Sequence, residues 1–170
     1  MNERFEQVVL PHLDAAYNLA RWLVRSPADA DDLVQESCLR ALRFIDGFRG
    51  GDSRAWLLKI VRNTCYSWVR KKRPEDLADE FDEKLHTVEI AGEDAEAKLV
   101  SRAESARVRN ALESLPLASR EVIILREIEG LSYKDISDVL GVPMGTVMSS
   151  LSRARQRLRE LLESPAAKEA

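Results

Sequence analysis

Residues 54–73, RAWLLKIVRNTCYSWVRKKR, place Trp56, Lys59, Asn63, Tyr66 and Arg70 at spacings of three, four, three and four. On a helix with 3.6 residues per turn these side chains fall on one stripe and can face one strand. Aromatic planes interleaved with cations suit single-stranded nucleic acid, because unpaired bases stack on the rings while Lys and Arg track the phosphates. The same residues also suit a small bundle, with Trp56 and Tyr66 in its core and RKKR complementing the negative end of the helix dipole. Trp68 is assigned to the core.

A second group with chemical potential lies near the other end of the chain. Thr146, Ser149, Ser150, Arg153 and Arg157 share the outer face of a helix expected to begin at about Gly145 or Thr146. Its inner face is Val147, Leu151, Ala154, Leu158 and Leu161. The preceding helix is expected to start from Ser132, whose hydroxyl can accept from the Asp135 N–H, and to bury Ile136, Val139 and Leu140. Gly141 can adopt positive φ and Pro143 has no N–H with which to continue, so LGVP is a turn. Two short helices joined in this way form a helix-turn-helix, whose second helix enters a major groove while the first crosses the backbone. A hairpin of this kind is also common in helical bundles, and the pattern alone does not decide between the two.

The elements that must position these groups are helical throughout. Pro11 to Val24 carries the stripe Leu13, Tyr17 or Ala16, Ala20, and Leu23 or Val24. Ser26-Pro27 caps the next helix, Asp29, Asp31 and Asp32 sit in its first turns, and it runs to about Phe44. Its inner face is expected to be Val34, Cys38, Ala41, Leu42 and Ile45, which turns Asp31, Asp32, Gln35, Glu36 and Leu39 outward together. FRGGDS, residues 48–53, is a Gly-rich loop ending in an N-cap, and the helix after it buries Leu57, Ile60, Val61 and Thr64.

The formal net charge of -3 conceals an uneven distribution. Residues 1–73 hold 13 Lys/Arg and 9 Asp/Glu, residues 74–107 hold 4 and 11, and residues 108–170 hold 9 and 9. The acidic middle opens with Pro74 and lacks an apolar stripe until about Leu99, so it reads as a solvated linker. The expected architecture is all-α, with domains at 1–73 and 108–170 and a linker at 74–107. No run approaches the roughly 20 apolar residues of a membrane span, and no signal pattern opens the chain, so a cytoplasmic protein is expected. Cys38 and Cys65 are too few for a disulfide framework, and with only His12 and His86 no metal site or cofactor is expected. No nucleophile motif or phosphate-binding loop suggests an enzyme.

Two matches bring in a known family. EVIILREIEGLSYKDISDVLGVPMGTVMSSLSRARQRL resembles region 4 of the sigma-70 family of bacterial RNA polymerase initiation factors. DADDLVQESCLRAL resembles region 2.2, and RAWLLKIVRNTCYSWVRKKR resembles regions 2.3 and 2.4. With only these two domains, the chain resembles the extracytoplasmic-function class. The resemblance implies that Asp31, Asp32, Gln35, Glu36 and Leu39 dock on the clamp of core RNA polymerase. It further implies that Trp56, Lys59, Asn63, Tyr66 and Arg70, with Arg49 of the preceding loop, capture the melted minus-10 strand. Thr146, Ser149, Ser150, Arg153, Arg155 and Arg157 would contact duplex minus-35 DNA, and an anti-sigma factor would regulate the protein. Met148 and Ser150 stand where the family usually has a basic residue, which shifts phosphate contacts towards Arg153, Arg155 and Arg157. Ser67 and Cys38 depart from the family's frequent Asp and Phe. The rival expectations are a helix-turn-helix regulator that is not a sigma factor, and a sigma mimic that binds an anti-sigma factor but no DNA.

Overall fold

The computed structural model describes residues 2–81 and 102–163. Most of the linker therefore lies outside the described residues. Among these residues eight α-helices, α1 to α8, span Glu3–Val8, Leu13–Val24, Pro27–Arg43, Ser53–Lys72, Arg102–Ser114, Leu117–Ile123, Tyr133–Leu140 and Met144–Glu163. No strand occurs among the described residues.

Local chemistry sets most boundaries. Asn2 Oδ1 accepts from the N–H groups of Arg4 and Phe5 and starts α1, a helix the sequence periodicity does not reveal. The expected helix from Pro11 begins as a 3-10 turn at Leu10–His12 before α2 takes over at Leu13. Ser26 caps α3 with Pro27 at its first position. Asp52, one residue before Ser53, is the cap of α4: its Oδ1 accepts from Arg54 and Ala55 at 2.9 and 3.2 Å. Ser53 instead bonds the His12 ring at 2.9 Å, tying the start of α4 to the approach to α2.

The first unit packs α2, α3 and α4 around Leu19, Leu23, Leu33, Leu57, Leu58 and Val61. Ala30, Leu33 and Ser37 occupy the inner face of α3, whereas Leu42, expected there, is exposed and Cys38 is half-buried. The second unit packs α6, α7 and α8 around Ile124, Leu125, Ile136, Val139, Val147 and Leu151. Between α6 and the helix-turn-helix, Ile124–Ile128 forms a π turn, a wider coil than the α-helix it continues. Ser132 Oγ accepts from Asp135 N at 3.0 Å, and Gly141 takes φ 71°, so both ends of α7 form as their residue types require.

The two units form one buried cluster, with α7 lying against α4 and α6 against α2. Pro74–Phe81, inside the stretch expected to be linker, is a 3-10 helix against α4 and α6, with Leu77 packed on the core. Burial of both sides of α4 is the feature that most shapes the functional surfaces.

Candidate nucleic-acid and partner interfaces

On α3 all five outward residues are exposed together: Asp31, Asp32, Gln35, Glu36 and Leu39. Leu39 is 65% exposed, and Leu42 and Phe44 extend its apolar surface towards the helix end. Sequence reasoning missed these last two; the visible signal was an apolar residue three positions after an already outward Leu39. An acidic face with adjacent exposed apolar side chains has the composition of a candidate docking surface. Glu36 pairs with Arg40 at 2.7 Å, one turn along the same helix, and both side chains stay partly exposed.

The α4 stripe is divided by the second unit. Lys59, Asn63 and Arg70 are exposed, as is Arg49 in the loop before the helix. Trp56 is half-buried against Phe48, their ring centroids 5.3 Å apart. Tyr66 is only 3% exposed, which corrects the expectation that it stands ready to meet a strand. Its angular position on the stripe is as expected, but Glu121 of α6 reaches it from the second unit. The Tyr66 hydroxyl donates to Glu121 Oε1 at 2.8 Å, Arg62 Nε donates to Glu121 Oε2 at 2.8 Å, and the Arg62 guanidinium lies 3.8 Å from the Tyr66 ring centroid. Burial opposes charge on Arg62, but the adjacent Glu121 and Tyr66 outweigh it and hold its proton more tightly than usual.

On α8, Thr146 and Ser149 are exposed and Ser150 is half-buried. Met144 and Met148 are exposed beside them. Arg153 is half-buried on that side of the helix. Arg155 is turned away: its guanidinium grips Glu127 of the π turn, with Nε at 3.0 Å. Two residues along a helix is a 200° rotation, so Arg153 and Arg155 cannot share a face. Arg157 reaches back to Ser119 Oγ at 3.4 Å. Of the three arginines expected to carry phosphate contacts, Arg153 is therefore the one on the side of Thr146 without a bond to α6 or the π turn.

Elsewhere the joint between the units is polar at its edges. Asn18 donates to Glu129 at 3.0 Å, and Arg25 to the Glu113 carbonyl at 2.8 Å. At the α4–α7 end, Asp135 approaches Asp52. Burial and then the Asp52 carboxyl push Asp135 above the usual carboxylate range, with Asp138 adding and Ser132 opposing. Burial works to raise Asp52 as well, but the Ala55 N–H, Asp135 and the Arg54 N–H and guanidinium together hold it low. A raised value in the closed arrangement means closure is favoured below it and opposed above it. Asp135→Asn is therefore expected to raise the melting temperature slightly at pH 8, by at most about 3 °C for an exposed pair, and to leave it unchanged relative to wild type near pH 3. Paired thermal melts at the two pH values check this; a gain that persists at the lower pH would contradict it.

The free thiols have no activated character: burial raises Cys38, and burial with Glu121 and Glu36 raises Cys65 to about 12. Among the described residues no His/Cys/Asp/Glu group is placed to hold a metal, and no helix is long and apolar enough to cross a membrane.

Comparison with known proteins gives a consistent result. The model of sigma-70 region 2 matches residues 8–75, and that of sigma-70 region 4 matches residues 105–158. The ECF RNA polymerase sigma factor SigE of Mycolicibacterium smegmatis is 34% identical over 163 residues, 93% of this chain and 61% of that protein. The chain thus spans about three fifths of that relative's length. The ECF RNA polymerase sigma-E factor of Haemophilus influenzae is 34% identical over 154 residues, 85% of this chain and 79% of that one. Among solved structures, the sigma factor RpoE of Bartonella quintana, in complex with the anti-sigma factor NepR, superposes with a TM-score of 0.72 at 33% identity, covering 96% of this chain and 99% of that one.

Proposed function

The chain belongs to the extracytoplasmic-function class of the sigma-70 family of transcription initiation factors, and from that premise we propose how its surfaces divide the work. Residues 1–73 bind core RNA polymerase through Asp31, Asp32, Gln35, Glu36 and Leu39 and capture the melted minus-10 strand with the α4 stripe. Residues 108–170 read the duplex minus-35 element with the front of α8, and residues 74–107 connect the two. The observation that carries this reading is the outer face of α3. It is acidic, edged by exposed Leu39, Leu42 and Phe44, and left uncovered when the two units pack together. A regulator that only bound duplex DNA would not need such a face beside a base-stacking helix. Titrating the labelled full chain with core polymerase tests it. Saturable binding is expected, and no binding to core would contradict the reading.

An anti-sigma factor is the proposed regulator, supported by the likeness to RpoE, which was solved with one bound. The site of action is the cytoplasm, where polymerase and promoter meet, and the chain contributes binding energy and strand separation rather than a reaction of its own.

The recognition helix yields a further expectation. With Arg155 and Arg157 held to Glu127 and Ser119, Arg153 is the principal phosphate contact of the three. Arg153→Ala should weaken duplex minus-35 binding and flatten the log–log salt dependence by about one unit, since one phosphate fewer releases about one counterion fewer. Anisotropy titrations across a salt series measure it, and an unchanged slope would assign the phosphate contact elsewhere.

A further inference from the structure

We infer that Glu121 is an internal competitor for single-stranded DNA, occupying with its carboxylate the Arg62 and Tyr66 groups that would otherwise hold a phosphate and a base. The inference rests on the strand-capture role proposed for α4, and it adds a residue to that site, Arg62, together with a contact that closes it. Arg62 lies three residues after Lys59 and four before Tyr66, on the edge of the same stripe. Its guanidinium is stacked on the Tyr66 ring at 3.8 Å, the pairing by which an aromatic and a cation together grip a nucleotide.

Glu121 presents to this pair what a phosphodiester would present: two oxygens carrying negative charge, one taking the Arg62 N–H and the other the Tyr66 hydroxyl, each at 2.8 Å. The carboxylate is 2% exposed and comes from the second unit, so the bond exists only while the two units are packed together, α7 on α4 and α6 on α2. A buried ion pair gives back in Coulomb energy roughly what its desolvation costs. A contact of that kind discriminates between arrangements more than it stabilises one, and it can be exchanged for an equivalent anion at small net cost. The other end of the joint carries the opposite tendency, with Asp135 set against Asp52. Closure is therefore held at one end and resisted at the other, as a reversible contact requires. In the closed chain Lys59, Asn63 and Arg70 remain open to solvent while Tyr66 and Arg62 are withheld, so a strand meets an incomplete site until α6 lifts.

The test uses the full chain without polymerase and a labelled mixed-sequence single-stranded oligonucleotide of about 12 nucleotides. Glu121→Gln keeps the size of the side chain and an acceptor for Tyr66, but sets an amide N–H against the Arg62 N–H and removes the charge. It should bind the oligonucleotide about five- to twentyfold more tightly than wild type, by the fraction of open chain it releases, and scatter as a larger particle in solution. Arg62→Ala placed on Glu121→Gln should abolish the gain. Circular dichroism on each variant separates opening from unfolding, and Glu121→Ala provides a second route to the same opening if the Gln variant is poorly folded. A folded Glu121 variant that binds within twofold of wild type would overturn the inference, as would a gain that survives loss of Arg62. Failure of every form, wild type included, to bind the strand even with core polymerase would overturn the strand-capture reading along with it. Normal core-dependent promoter opening with no Glu121 effect would remove the competitor alone.

Discussion

Replacing Arg120 by alanine is expected to lower the melting temperature by about 5 to 15 °C. Arg120 is 1% exposed, and its guanidinium is bonded to backbone carbonyls. Its Nε donates to the Trp22 carbonyl at 2.7 Å, and its Nη1 donates to the carbonyls of Leu115 and Glu113 at 2.9 and 3.3 Å. One planar group thus satisfies the end of α5, the loop before α6 and a carbonyl of α2 in the other unit. Burial, reinforced by Arg25, lowers its proton affinity to about 10, which still leaves it charged at neutral pH. Truncation leaves the buried Leu115 carbonyl and the part-buried Trp22 carbonyl without this donor and opens a cavity, together costing about 2 to 4 kcal/mol. Arg120→Lys should recover little, because a single ammonium cannot reproduce the fork. Thermal melts followed by circular dichroism measure the effect, and a midpoint within 2 °C of wild type would show that the joint between the units is not held this way.

The largest functional loss is expected from Asp32→Ala with Glu36→Ala: core polymerase affinity should fall by about ten- to a hundredfold while helicity and melting temperature stay near wild type. Both residues are exposed, and the Glu36–Arg40 pair lies in solvent, where such a contact is worth less than about 1 kcal/mol to the fold. Their energetic worth is expected in a complex, where a partner's cations replace water. Leu39→Ala tests the apolar half of the same surface, because a side chain 65% exposed costs the isolated fold almost nothing to remove. Competition binding against labelled wild type gives the numbers. Core affinity within twofold of wild type for the double variant would move the docking surface off α3.

The parts of this structure that were legible in the sequence are those decided within one or two helical turns. Ser132 had to cap something because its hydroxyl precedes an apolar stripe by the right interval, and Gly141 followed by Pro143 had to stop it. Val147, Leu151 and Ala154 are buried because their spacing follows the helix, and the outward set on α3 is exposed for the same reason. Short or shared signals were less readable. Six residues of α1 are too few to display a period, and Asp52 and Ser53 are both good caps standing side by side. Leu42 was placed inward because an apolar residue near an inner stripe is counted with it. What lay beyond local reading was the contact between units. Nothing local in the sequence marks Arg120, Glu121 and Arg62 as partners across a joint, and Tyr66 reads as either a stacking platform or a bundle core residue. In the structure it is a buried core residue, and its hydroxyl is satisfied by a carboxylate 55 residues away in the other unit. Periodicity records that a helix has a second distinctive face but not what covers it.

The central claim is that this chain directs core RNA polymerase to promoters, with α3 holding the enzyme while α4 and α8 hold the DNA. It is tested most directly by sequencing the genomic fragments that the full chain enriches with and without core polymerase. With core present, the fragments should share two short sequence elements at a fixed separation, with thymines at the downstream element becoming reactive to permanganate as the strands part. Asp32→Ala with Glu36→Ala should erase the enrichment. Enrichment of the same fragments without polymerase, with no strand opening when polymerase is added, would identify instead a regulator of duplex DNA and contradict the account.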